Sequence, residues 1–482
     1  MRGIANVELT AELALRLGRV GAAFLAQAAA EAAAVGDRSV GRAGAACPGR
    51  PGRQGRPLLL LGRDSRFSGN LLAAAVTAGA LSVGVDVVDL GIIPTPGVAH
   101  LVRSLGASGG VMISASHNPV DDNGIKFFDA EGYKLAPEAE EVLEAGLGSR
   151  QDRLPRPKGE GVGAVFDGRA YIELYETHLL AAVGGDGGLA PTGPKEGGPL
   201  VVIDAAWGAT AGLASRVFAR AGARVVAMND RWDGARINVR CGSTNPEELA
   251  RRVIAENASA GLAFDGDGDR CIAADEKGRV VDGDQIMAVL ALDLLARKAL
   301  PKKTIVATVM SNFGLDLTLR EVGGKVIRTP VGDRNVLVKM RETGAVLGGE
   351  QSGHVILLRH ATTGDGLLTG LSLLEVMVRS GRVLSELADR MTKLPQVLIN
   401  VAVKRKEGLT TSERVATAIE RTRERLGHTG TVLVRPSGTE PLVRVMVEGR
   451  DLARIKRMAA ELAGVVADEL GGEIVSSSAE EG

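Results

Sequence analysis

Three aspartates in one short loop are the first residues of this chain that could do chemistry. The segment FDGDGDR places Asp265, Asp267 and Asp269 at alternate positions, with glycines between them, directly after the apolar run GLAF. Carboxylates this close repel one another strongly unless a cation neutralises them, and hard oxygen ligands select Mg²⁺, Mn²⁺ or Ca²⁺ rather than zinc. The spacing therefore predicts a site for a hard divalent cation.

Two other interpretations of this acidic loop are open. In an EF-hand the aspartates would take positions one, three and five, and Glu276 would take position twelve. Position six of that loop needs a glycine and is Arg270 here, and the flanking segments have strand rather than helix patterns. The other possibility is an acidic surface turn, because turns favour Asp and Gly. The metal site is the favoured interpretation of the three.

A serine loop follows a second apolar run. The segment GGVMISASHNP is apolar through Ile113 and then changes abruptly to Ser116, His117 and Pro119. This change predicts a rigid loop that presents a hydroxyl at the end of a buried strand. A serine nucleophile needs activation by a base, a metal or both. Its neighbours, Ala115 and His117, do not match the G-x-S-x-G elbow of serine hydrolases, which disfavours acyl chemistry. A plain loop and cap is the alternative.

Two glycine-rich loops near the end of the chain carry polar groups. GGEQSGH holds Glu350, Ser352 and His354, a pattern suited to sugar hydroxyls because a carboxylate can accept two of them. An ordinary turn explains that loop equally well. RPSGTEPLVR offers two guanidiniums, two hydroxyls and a glycine, the groups that bind a phosphate dianion: Arg435, Ser437, Gly438, Thr439 and Arg444. A hairpin turn with incidental arginines is the alternative for this second loop.

The elements around these loops predict an α/β fold. Thr10 is a predicted helix cap, with apolar residues at three- and four-residue spacing after it. From residue 57, PLLLLGRDSR and GVDVVDLG are predicted strands around the helical NLLAAAVTAGAL, and the rhythm repeats twice. Such alternation predicts mixed, mostly parallel sheets with helices on both faces. Active groups gather at the carboxyl ends of such strands, where Ser116 falls.

The last part of the chain has a different order of elements. A strand and a helix precede two adjacent strands and a closing helix, which predicts a smaller α+β domain with an antiparallel pair. The final SSSAEEG is predicted to be a disordered tail. We predict three related α/β domains and one α+β domain, at residues 1–165, 166–275, 276–385 and 386–482.

Composition limits the classes of partner. The 482 residues include 58 basic and 58 acidic side chains, so no overall field favours nucleic acid or an anionic membrane. Three cysteines, Cys47, Cys241 and Cys271, lack metal-type spacing and favour a reducing compartment. With neither a leader pattern nor an apolar run of about 20 residues, we expect a cytoplasmic location. Gly-rich segments at 36–56 and 181–198 are predicted insertions, the first of them exposed.

Four segments in this order resemble the α-D-phosphohexomutase superfamily. SASHNP resembles its phosphoserine loop, DGDGDR its metal loop, GEQSGH its sugar loop and RPSGTEPLVR its phosphate loop. GRDSRFSG, IPTPG and TPVGDRNV support the resemblance, which covers nearly the whole chain. It implies three related α/β domains and a smaller C-terminal domain around one cleft, with one loop from each.

The resemblance also implies a chemistry. Ser116 would carry a phosphate, and one Mg²⁺ held by Asp265, Asp267 and Asp269 would touch that phosphate at Ser116. Lys126 and Arg270 would steady the transferring oxygens, with His354 as general base and His117 shaping the serine loop. Glu350 and Ser352 would bind ring hydroxyls, and a further set would bind the phosphate of a hexosamine phosphate: Arg435, Ser437, Gly438, Thr439 and Arg444.

The spellings SASHNPVDDNGIKFF, INVRCGST and ATTGDG are most similar to members that act on glucosamine phosphates. The expected reaction converts glucosamine 6-phosphate to glucosamine 1-phosphate through a 1,6-bisphosphate. Three alternatives stay open: a phosphomannomutase/phosphoglucomutase of the same superfamily, a metal-dependent sugar phosphatase, and a binding protein without activity.

The beginning of the chain departs from the family pattern. Members usually carry an FGTDGIRG-type segment that forms the first strand and places an arginine near the phosphoserine. Here the chain begins MRGIAN and keeps only Arg2 and Gly3 of that segment. We therefore expect either a start further upstream or a missing first strand. A sheet edge without that strand would lose backbone pairing and leave Arg2 on a frayed end.

Overall fold

The computed structural model describes residues 1–34, 51–149, 153–185, 187–189, 197–404, 408–437 and 441–480. The density of internal contacts divides the chain into two compact units. One unit comprises Met1–Pro301 and Gly332–Ala388, and the other comprises Lys302–Val331 and Asp389–Gly482. The four predicted domain boundaries stay predictions.

The first unit begins with a six-stranded mixed sheet. Its strands are β1 (Arg2–Ile4), β2 (Leu58–Arg63), β3 (Asp86–Ile92), β4 (Gly109–Ile113), β5 (Asp122–Phe128) and β6 (Val165–Asp167), in the order β1-β5-β4-β2-β3-β6. The helices of this part are α1 (Ala11–Ala34), α2 (Ser68–Ser82), α3 (Thr95–Ser104), α4 (Pro137–Gly148) and α5 (Ile172–Ala181). Strands β4, β2, β3 and β6 pair in parallel, and β5 and β1 add an antiparallel edge. The predicted alternation of strands and helices is confirmed here, as is Thr10, whose Oγ accepts the Leu13 N–H at 3.3 Å.

The expected loss of the first strand is wrong for residues 2–4. These residues form β1 and pair antiparallel with β5, Arg2 lying opposite Gly124 and Ile4 opposite Asp122. The backbone of Met1 extends the pairing, because its amino group donates to the Ile125 carbonyl at 3.1 Å. Three residues are too few to show a period of two, so only the pairing partner reveals this strand.

A second mixed sheet follows in the same unit. It contains β7 (Leu200–Asp204), β8 (Arg224–Met228), β9 (Ala260–Phe264), β10 (Cys271–Asp275) and β11 (Val280–Val281), in the order β11-β10-β9-β7-β8. Helices α6 (Leu213–Arg220) and α7 (Glu247–Ala255) accompany it. Strands β9, β7 and β8 are parallel, whereas β10 returns antiparallel to β9 in a hairpin. That hairpin carries the three aspartates in its turn.

The third stretch of the chain contributes to both units. In the first unit lie α8 (Gly283–Ala296), α10 (Asp333–Thr343), the antiparallel pair β14 (Leu347–Gly349) and β15 (Val355–Leu357), α11 (Gly366–Ser380) and α12 (Leu384–Ala388). In the second unit lie the parallel pair β12 (Thr304–Thr308) and β13 (Lys325–Thr329) and helix α9 (Gly314–Glu321).

The C-terminal part of the second unit is an antiparallel sheet covered by helices. Its strands β16 (Gln396–Ala402), β17 (Gly430–Pro436), β18 (Leu442–Gly449) and β19 (Glu473–Glu480) run in the order β17-β18-β16-β19. Its helices are α13 (Gly408–Thr411), α14 (Glu413–Leu426) and α15 (Leu452–Leu470). The predicted α+β arrangement is confirmed. The predicted disordered tail is wrong as far as Glu480, because β19 pairs with β16 despite its run of serines.

The predicted exposed insertion at 36–56 lies largely outside the described residues, but its described end is anchored. Arg53 forms an ion pair with the buried carboxylate of Asp86 at 2.5 Å, and its backbone N–H donates to the same side chain at 3.0 Å. Burial alone would raise the pKa of Asp86, but these donors and the Ala164 N–H outweigh it and lower the pKa. The segment from residue 51 is thus held on the end of β3. The second predicted insertion, at 181–198, is described in part, and its Leu189 is buried.

Helices α1 and α2 pack through glycines, which allows a direct prediction. A Cβ at Gly79 would collide with the Leu15 carbonyl oxygen, and one at Gly18 with the Val76 carbonyl oxygen. We expect Gly79→Ala to lower the free energy of unfolding by about 2 kcal/mol or more, because the backbones must separate. Gly464→Ala is the control: it lies inside α15 with open space around it and should stabilise by up to about 1 kcal/mol. Urea unfolding measures both, and equal effects would contradict the packing argument.

Three histidines meet where α3 and α5 pack together. The rings of His100 and His178 stack with centroids 4.1 Å apart, and His178 Nε2 donates to the His360 carbonyl at 2.9 Å. Burial, together with the neighbouring His178 and Arg103, lowers the pKa of His100 to about 3. The unfolded chain therefore binds more protons than the folded chain between pH 6.5 and about 3, so stability present above pH 6.5 is lost as the pH falls.

This cluster predicts a pH dependence of stability. Between pH 7 and pH 5, His100 should remove roughly 1 to 2 kcal/mol of the free energy of unfolding. His100→Gln should flatten that fall, whereas the exposed His428, changed to Gln, should leave it unaltered. Denaturant unfolding at both pH values makes the measurement. An unchanged slope in His100→Gln would contradict the prediction.

Candidate active site

Ser116 lies just beyond the carboxyl end of β4, as predicted. Its backbone adopts a left-handed conformation, with φ of 55°, which is uncommon for serine, and only 4% of the residue is exposed. The backbone N–H donates to Ser114 Oγ at 2.8 Å. The hydroxyl donates to Asp265 Oδ2 at 2.5 Å. The fold thus brings together a serine and an aspartate that are 149 residues apart in the chain.

The three aspartates form one buried cluster. Each offers an oxygen within 4.8 Å of the others, and all three side chains are buried, so the surface-turn interpretation is wrong. Strands β9 and β10 flank the loop, so the EF-hand interpretation is wrong as well. The glycine between the first two aspartates has a steric reason. A Cβ at Gly266 would lie 2.7 Å from the Ser116 carbonyl oxygen, so only glycine permits this approach.

The cluster has carboxylate oxygens that are left without protein donors. Asp267 Oδ2 accepts hydrogen bonds from Lys126 Nζ and Thr95 Oγ1, each at 2.6 Å. Asp267 Oδ1 and Asp269 Oδ1, in contrast, are buried and have no hydrogen-bond partner among the described residues. Buried carboxylate oxygens that lack a partner are costly. Their convergence fits a hard divalent cation, which takes carboxylate oxygens as ligands.

Electrostatics supports the same assignment. Burial, followed by the charges of Asp269 and Asp267, raises the pKa of Asp265 well above its ordinary value. Burial also acts to raise the pKa of Asp269, but His354 and two lysines outweigh it and hold that pKa well below the ordinary value. Burial and the charge of Asp269 also act to raise the pKa of Asp267, but Lys126 and the Thr95 hydroxyl outweigh them and lower it. Asp267 and Asp269 therefore keep their charge, and Asp265 ionises only against their repulsion. A divalent cation would remove that repulsion.

Cationic side chains contact the acidic cluster and the serine loop. Lys126 binds Asp267, and although burial opposes its charge, Asp267 and Asp269 outweigh burial and raise the pKa of Lys126. Arg270 lies near the triplet with its Nε 3.9 Å from Asp269 Oδ1, and that Nε has no hydrogen-bond partner in the part of the chain that the structure describes. Arg2 is exposed and donates to Asn118 Oδ1 at 3.1 Å, so it does contact the serine loop.

His117 is the imidazole beside the nucleophile. Its Nδ1 lies 3.4 Å from Ser116 Oγ. Burial, followed by the charges of Arg270 and Arg2, lowers the pKa of His117 to about 4, so the ring is neutral at pH 7. The prediction that it shapes the serine loop is compatible with this placement.

The sugar-loop residues lie in the connection between β14 and β15. Glu350 Oε1 accepts the Gly332 N–H at 3.0 Å, and the side chain of Ser352 is exposed. The predicted role of His354 as general base stays a prediction. Its ring is buried, Nε2 accepts the Gly364 N–H at 3.0 Å, and Nδ1 faces Asp269 Oδ2 at 3.5 Å. Both nitrogens of His354 face protein atoms in this structure, so the ring supports the acidic cluster.

The phosphate-loop residues belong to the second unit. Arg435 on β17 and Arg444 on β18 are directly opposite in the antiparallel register, so their side chains leave the same face of the sheet. Burial, and then the charge of Arg444, lowers the pKa of Arg435. Like charges so placed favour an anion between them. Ser437 is buried, whereas Gly438 and Thr439 lie outside the described residues.

Several residues of the site were not singled out from the sequence. Thr95 binds Asp267, Arg66 and Asn238 bind the serine loop, and Asp333 forms an ion pair with Lys134. Asp333 also lies 3.8 Å from His354 Nε2. Four of the five stand in segments that resemble the family, namely IPTPG, GRDSRFSG, INVRCGST and TPVGDRNV. Those segments were the available signal, but they did not say which residue makes which contact.

Comparisons with known proteins bear on the whole chain. Four family models described as phosphoglucomutase/phosphomannomutase domains I, II, III and IV match residues 38–153, 192–278, 282–394 and 398–465. A phosphoglucosamine mutase of Symbiobacterium thermophilum is 49% identical over 98% of each chain. One of Moorella thermoacetica is 50% identical over 96% of each chain. The chain belongs to the phosphoglucosamine mutase family. This family lies within the phosphohexomutases, which are isomerases.

A solved structure agrees with this family. The phosphoglucomutase/phosphomannomutase family protein of Burkholderia thailandensis superposes with a TM-score of 0.75 at 25% identity, covering 98% of this chain and 97% of its own. This similarity, together with the four matched domains, confirms the predicted fold class: three α/β domains and a C-terminal domain. Among the described residues of this family member, no helix combines the length and apolar character needed to cross a bilayer.

Proposed function

We propose that this chain interconverts glucosamine 6-phosphate and glucosamine 1-phosphate through a phosphoserine at Ser116 and a glucosamine 1,6-bisphosphate intermediate. One observation carries the proposal. The hydroxyl of a buried serine, held in a left-handed conformation, lies 2.5 Å from a carboxylate of the acidic cluster, and two oxygens of that cluster have no hydrogen-bond partner within the described ranges. A phosphoserine at this position would lie beside the proposed cation site, which Lys126 and Arg270 also adjoin.

Asp265, Asp267 and Asp269 would hold a single Mg²⁺. When bound, this cation would supply Lewis-acid stabilisation of charge on the phosphoryl oxygens. The protein's own share is the arrangement of the serine and the cations. Lys126 is oriented by Asp267, and Arg270 is held by its backbone N–H, which donates to Asp265 Oδ1 at 3.1 Å. We assign both side chains to the negative oxygens of the transferring group.

The first half-reaction transfers the phosphoryl group from the enzyme. The O1 hydroxyl of glucosamine 6-phosphate loses its proton as O1 attacks the phosphorus, the bond from phosphorus to Ser116 Oγ breaks, and Oγ takes up one proton, so the step neither gains nor loses protons overall. His117 Nδ1 lies 3.4 Å from Oγ. We assign to this imidazole the relay of the proton: because the ring is neutral at pH 7, it takes up a proton before it delivers one to Oγ. Phosphoryl transfer depends mainly on in-line positioning and charge stabilisation, which this rigid loop can supply.

The second half-reaction is the reverse at the other end of the sugar. The bisphosphate turns around, Ser116 Oγ attacks the 6-phosphorus, and the bond from phosphorus to O6 breaks. Glucosamine 1-phosphate then leaves, and the phosphoserine is restored. We assign ring-hydroxyl binding to Glu350 and Ser352. Binding of the non-reacting phosphate we assign to the facing arginines and their loop: Arg435, Ser437, Gly438, Thr439 and Arg444.

We also propose a cytoplasmic location and a role in supplying amino-sugar precursors of UDP-N-acetylglucosamine and the cell wall. The cysteines support a reducing compartment. Cys241 and Cys271 are free and buried, and burial raises the pKa of Cys241 to about 12. Thiols of this kind are packed as small apolar groups and are not placed for disulfide formation.

A phosphoryl-uptake experiment tests this mechanism. The purified protein is incubated with Mg²⁺ and glucose 1,6-bisphosphate, and intact mass is followed with peptide mapping. We expect a single phosphoryl group on Ser116 that moves to glucosamine 6-phosphate when this sugar is added. Continuous release of inorganic phosphate without transfer would favour the sugar phosphatase instead. Stable protein without any phosphorylation would favour the binding protein.

A further inference from the structure

We propose that Asn238 is a positioning residue that fixes the phosphoserine loop for in-line phosphoryl transfer, acting together with Arg66. This inference rests on the proposed function, because it concerns the direction in which Ser116 Oγ points during phosphoryl transfer. Asn238 comes from the segment that follows β8, whereas Ser116 follows β4 of the preceding sheet. The nucleophile loop is therefore held by side chains from two separate parts of the first unit.

Arg66 and Asn238 together hold the serine loop, and we call this pair the clamp. Arg66 makes the first set of its contacts. Its guanidinium is buried and donates to three carbonyl groups of the loop backbone. Nη2 reaches the carbonyls of Ser116 at 3.1 Å and Asn118 at 2.9 Å, and Nη1 reaches that of Pro119. Nε donates to Asp64, which also accepts the Ser114 hydroxyl at 2.6 Å. Ser114 in turn accepts the Ser116 N–H. The Arg66–Asp64 ion pair therefore holds the Ser116 carbonyl directly and the Ser116 N–H through Ser114.

Asn238 supplies the second half of the clamp. Its Nδ2 donates to the Ser116 carbonyl at 2.8 Å and lies 3.4 Å from that of Asn118. These are the same two carbonyls that Arg66 Nη2 binds. Asn238 itself has a left-handed backbone, with φ of 61°, directly after the fully buried Ile237. That anchor fixes the direction of its amide.

The contacts of the Ser116 carbonyl explain why this matters for transfer. A guanidinium, an amide and the backbone of Gly266 converge on this one oxygen. Ser116 has an uncommon φ of 55°, which neighbouring contacts must maintain. If the peptide relaxed, Oγ would move away from Asp265 and from the line of attack. A displacement of about 1 Å can lower a rate by about 100-fold.

Asn238 is the better residue to change, because loss of the buried Arg66 would also leave Asp64 unpaired. Asn238→Gly removes the amide, permits the same positive φ and adds no charge near the acidic cluster. Asn257→Gly is the matched control, since Asn257 is exposed and has φ of 50°. Both variants pay the same flexibility cost in the unfolded chain.

The experiment combines hydrogen exchange with kinetics on the full chain. In Asn238→Gly, amides of residues 114–119 should exchange about five- to tenfold faster than in the wild type. Turnover of glucosamine 6-phosphate should fall about 10- to 100-fold in kcat, with KM within about twofold. Asn257→Gly should match the wild type in both. Exchange outside residues 114–119 should stay at the wild-type rate, which separates the local effect from a general loss of structure, since unfolded enzyme would also lower the apparent kcat without changing KM.

The two ways of failing can be told apart. Unchanged exchange at 114–119 in Asn238→Gly would overturn the clamp, whatever the enzyme does. Faster exchange with unchanged kcat would overturn its positioning role. If the wild type shows no turnover of any hexose phosphate, the proposed function fails, and the exchange result alone then decides whether the loop is clamped.

Discussion

Replacing Ser116 by alanine is expected to lower turnover by at least about 10⁴-fold, because the proposed reaction loses the oxygen that accepts and returns the phosphoryl group. The substitution removes one oxygen from a site that is otherwise held by backbone contacts, so the fold should persist. Turnover in both directions and the thermal unfolding midpoint are measured together. Phosphoryl uptake from glucose 1,6-bisphosphate should disappear as well.

Ser82→Ala is the control for this variant. Its hydroxyl donates to the Gly79 carbonyl of its own helix, at 2.7 Å. We expect wild-type turnover from it. Ser116→Ala with turnover above about one-tenth of the wild type would show that the nucleophile lies elsewhere, and the role of the whole serine loop would have to be revised.

Asp265→Asn should separate the acidic cluster's effect on stability from its effect on activity. Without divalent cations this variant should be at least as stable as the wild type, because it removes one of three mutually repelling buried carboxyls and keeps an oxygen for the Ser116 hydroxyl. Saturating Mg²⁺, at about 100 times its dissociation constant, should add about 2.7 kcal/mol to the wild type and little to the variant. Turnover should fall by about 10³-fold.

Thermal unfolding with EDTA and with Mg²⁺ makes this measurement. The exposed Asp167, changed to Asn, provides a control that should keep the full response to Mg²⁺. A variant that is stabilised by Mg²⁺ as strongly as the wild type would contradict the cation site. Marked destabilisation of Asp265→Asn in EDTA would contradict the proposed repulsion.

The predictable parts of the site are those whose residues lie within a few consecutive positions of the sequence. The spacing of Asp265, Asp267 and Asp269 predicts a cation site, and the abrupt end of an apolar strand indicates Ser116. Their meeting could not be predicted from residue patterns, since the 2.5 Å contact depends on two sheets and on a glycine that permits close approach. The family resemblance supplied that link.

What could not be predicted depends on tertiary contacts of single residues. Thr95 is the first residue of α3 and Asn238 lies in a loop; both are isolated polar residues, and no periodicity distinguishes their contacts from those of an ordinary helix end or turn. A histidine such as His354 has a suggestive type, but only the fold shows that its nitrogens meet Gly364 and Asp269. The edge strands β1 and β19 could not be predicted for another reason. β1 is too short for a pattern, and the serines of β19 have little intrinsic preference for a strand, which pairing with β16 overrides.

The most direct test of the central claim is the turnover of hexose phosphates by the purified chain. Glucosamine 6-phosphate, glucose 6-phosphate and mannose 6-phosphate are compared with Mg²⁺ and a trace of a hexose 1,6-bisphosphate. We predict kcat/KM for the amino sugar at least about 100-fold above that for the other two, a difference of about 2.7 kcal/mol in transition-state binding. Equal or greater turnover of the glucose or mannose phosphate would contradict the proposed substrate and favour phosphomannomutase/phosphoglucomutase activity.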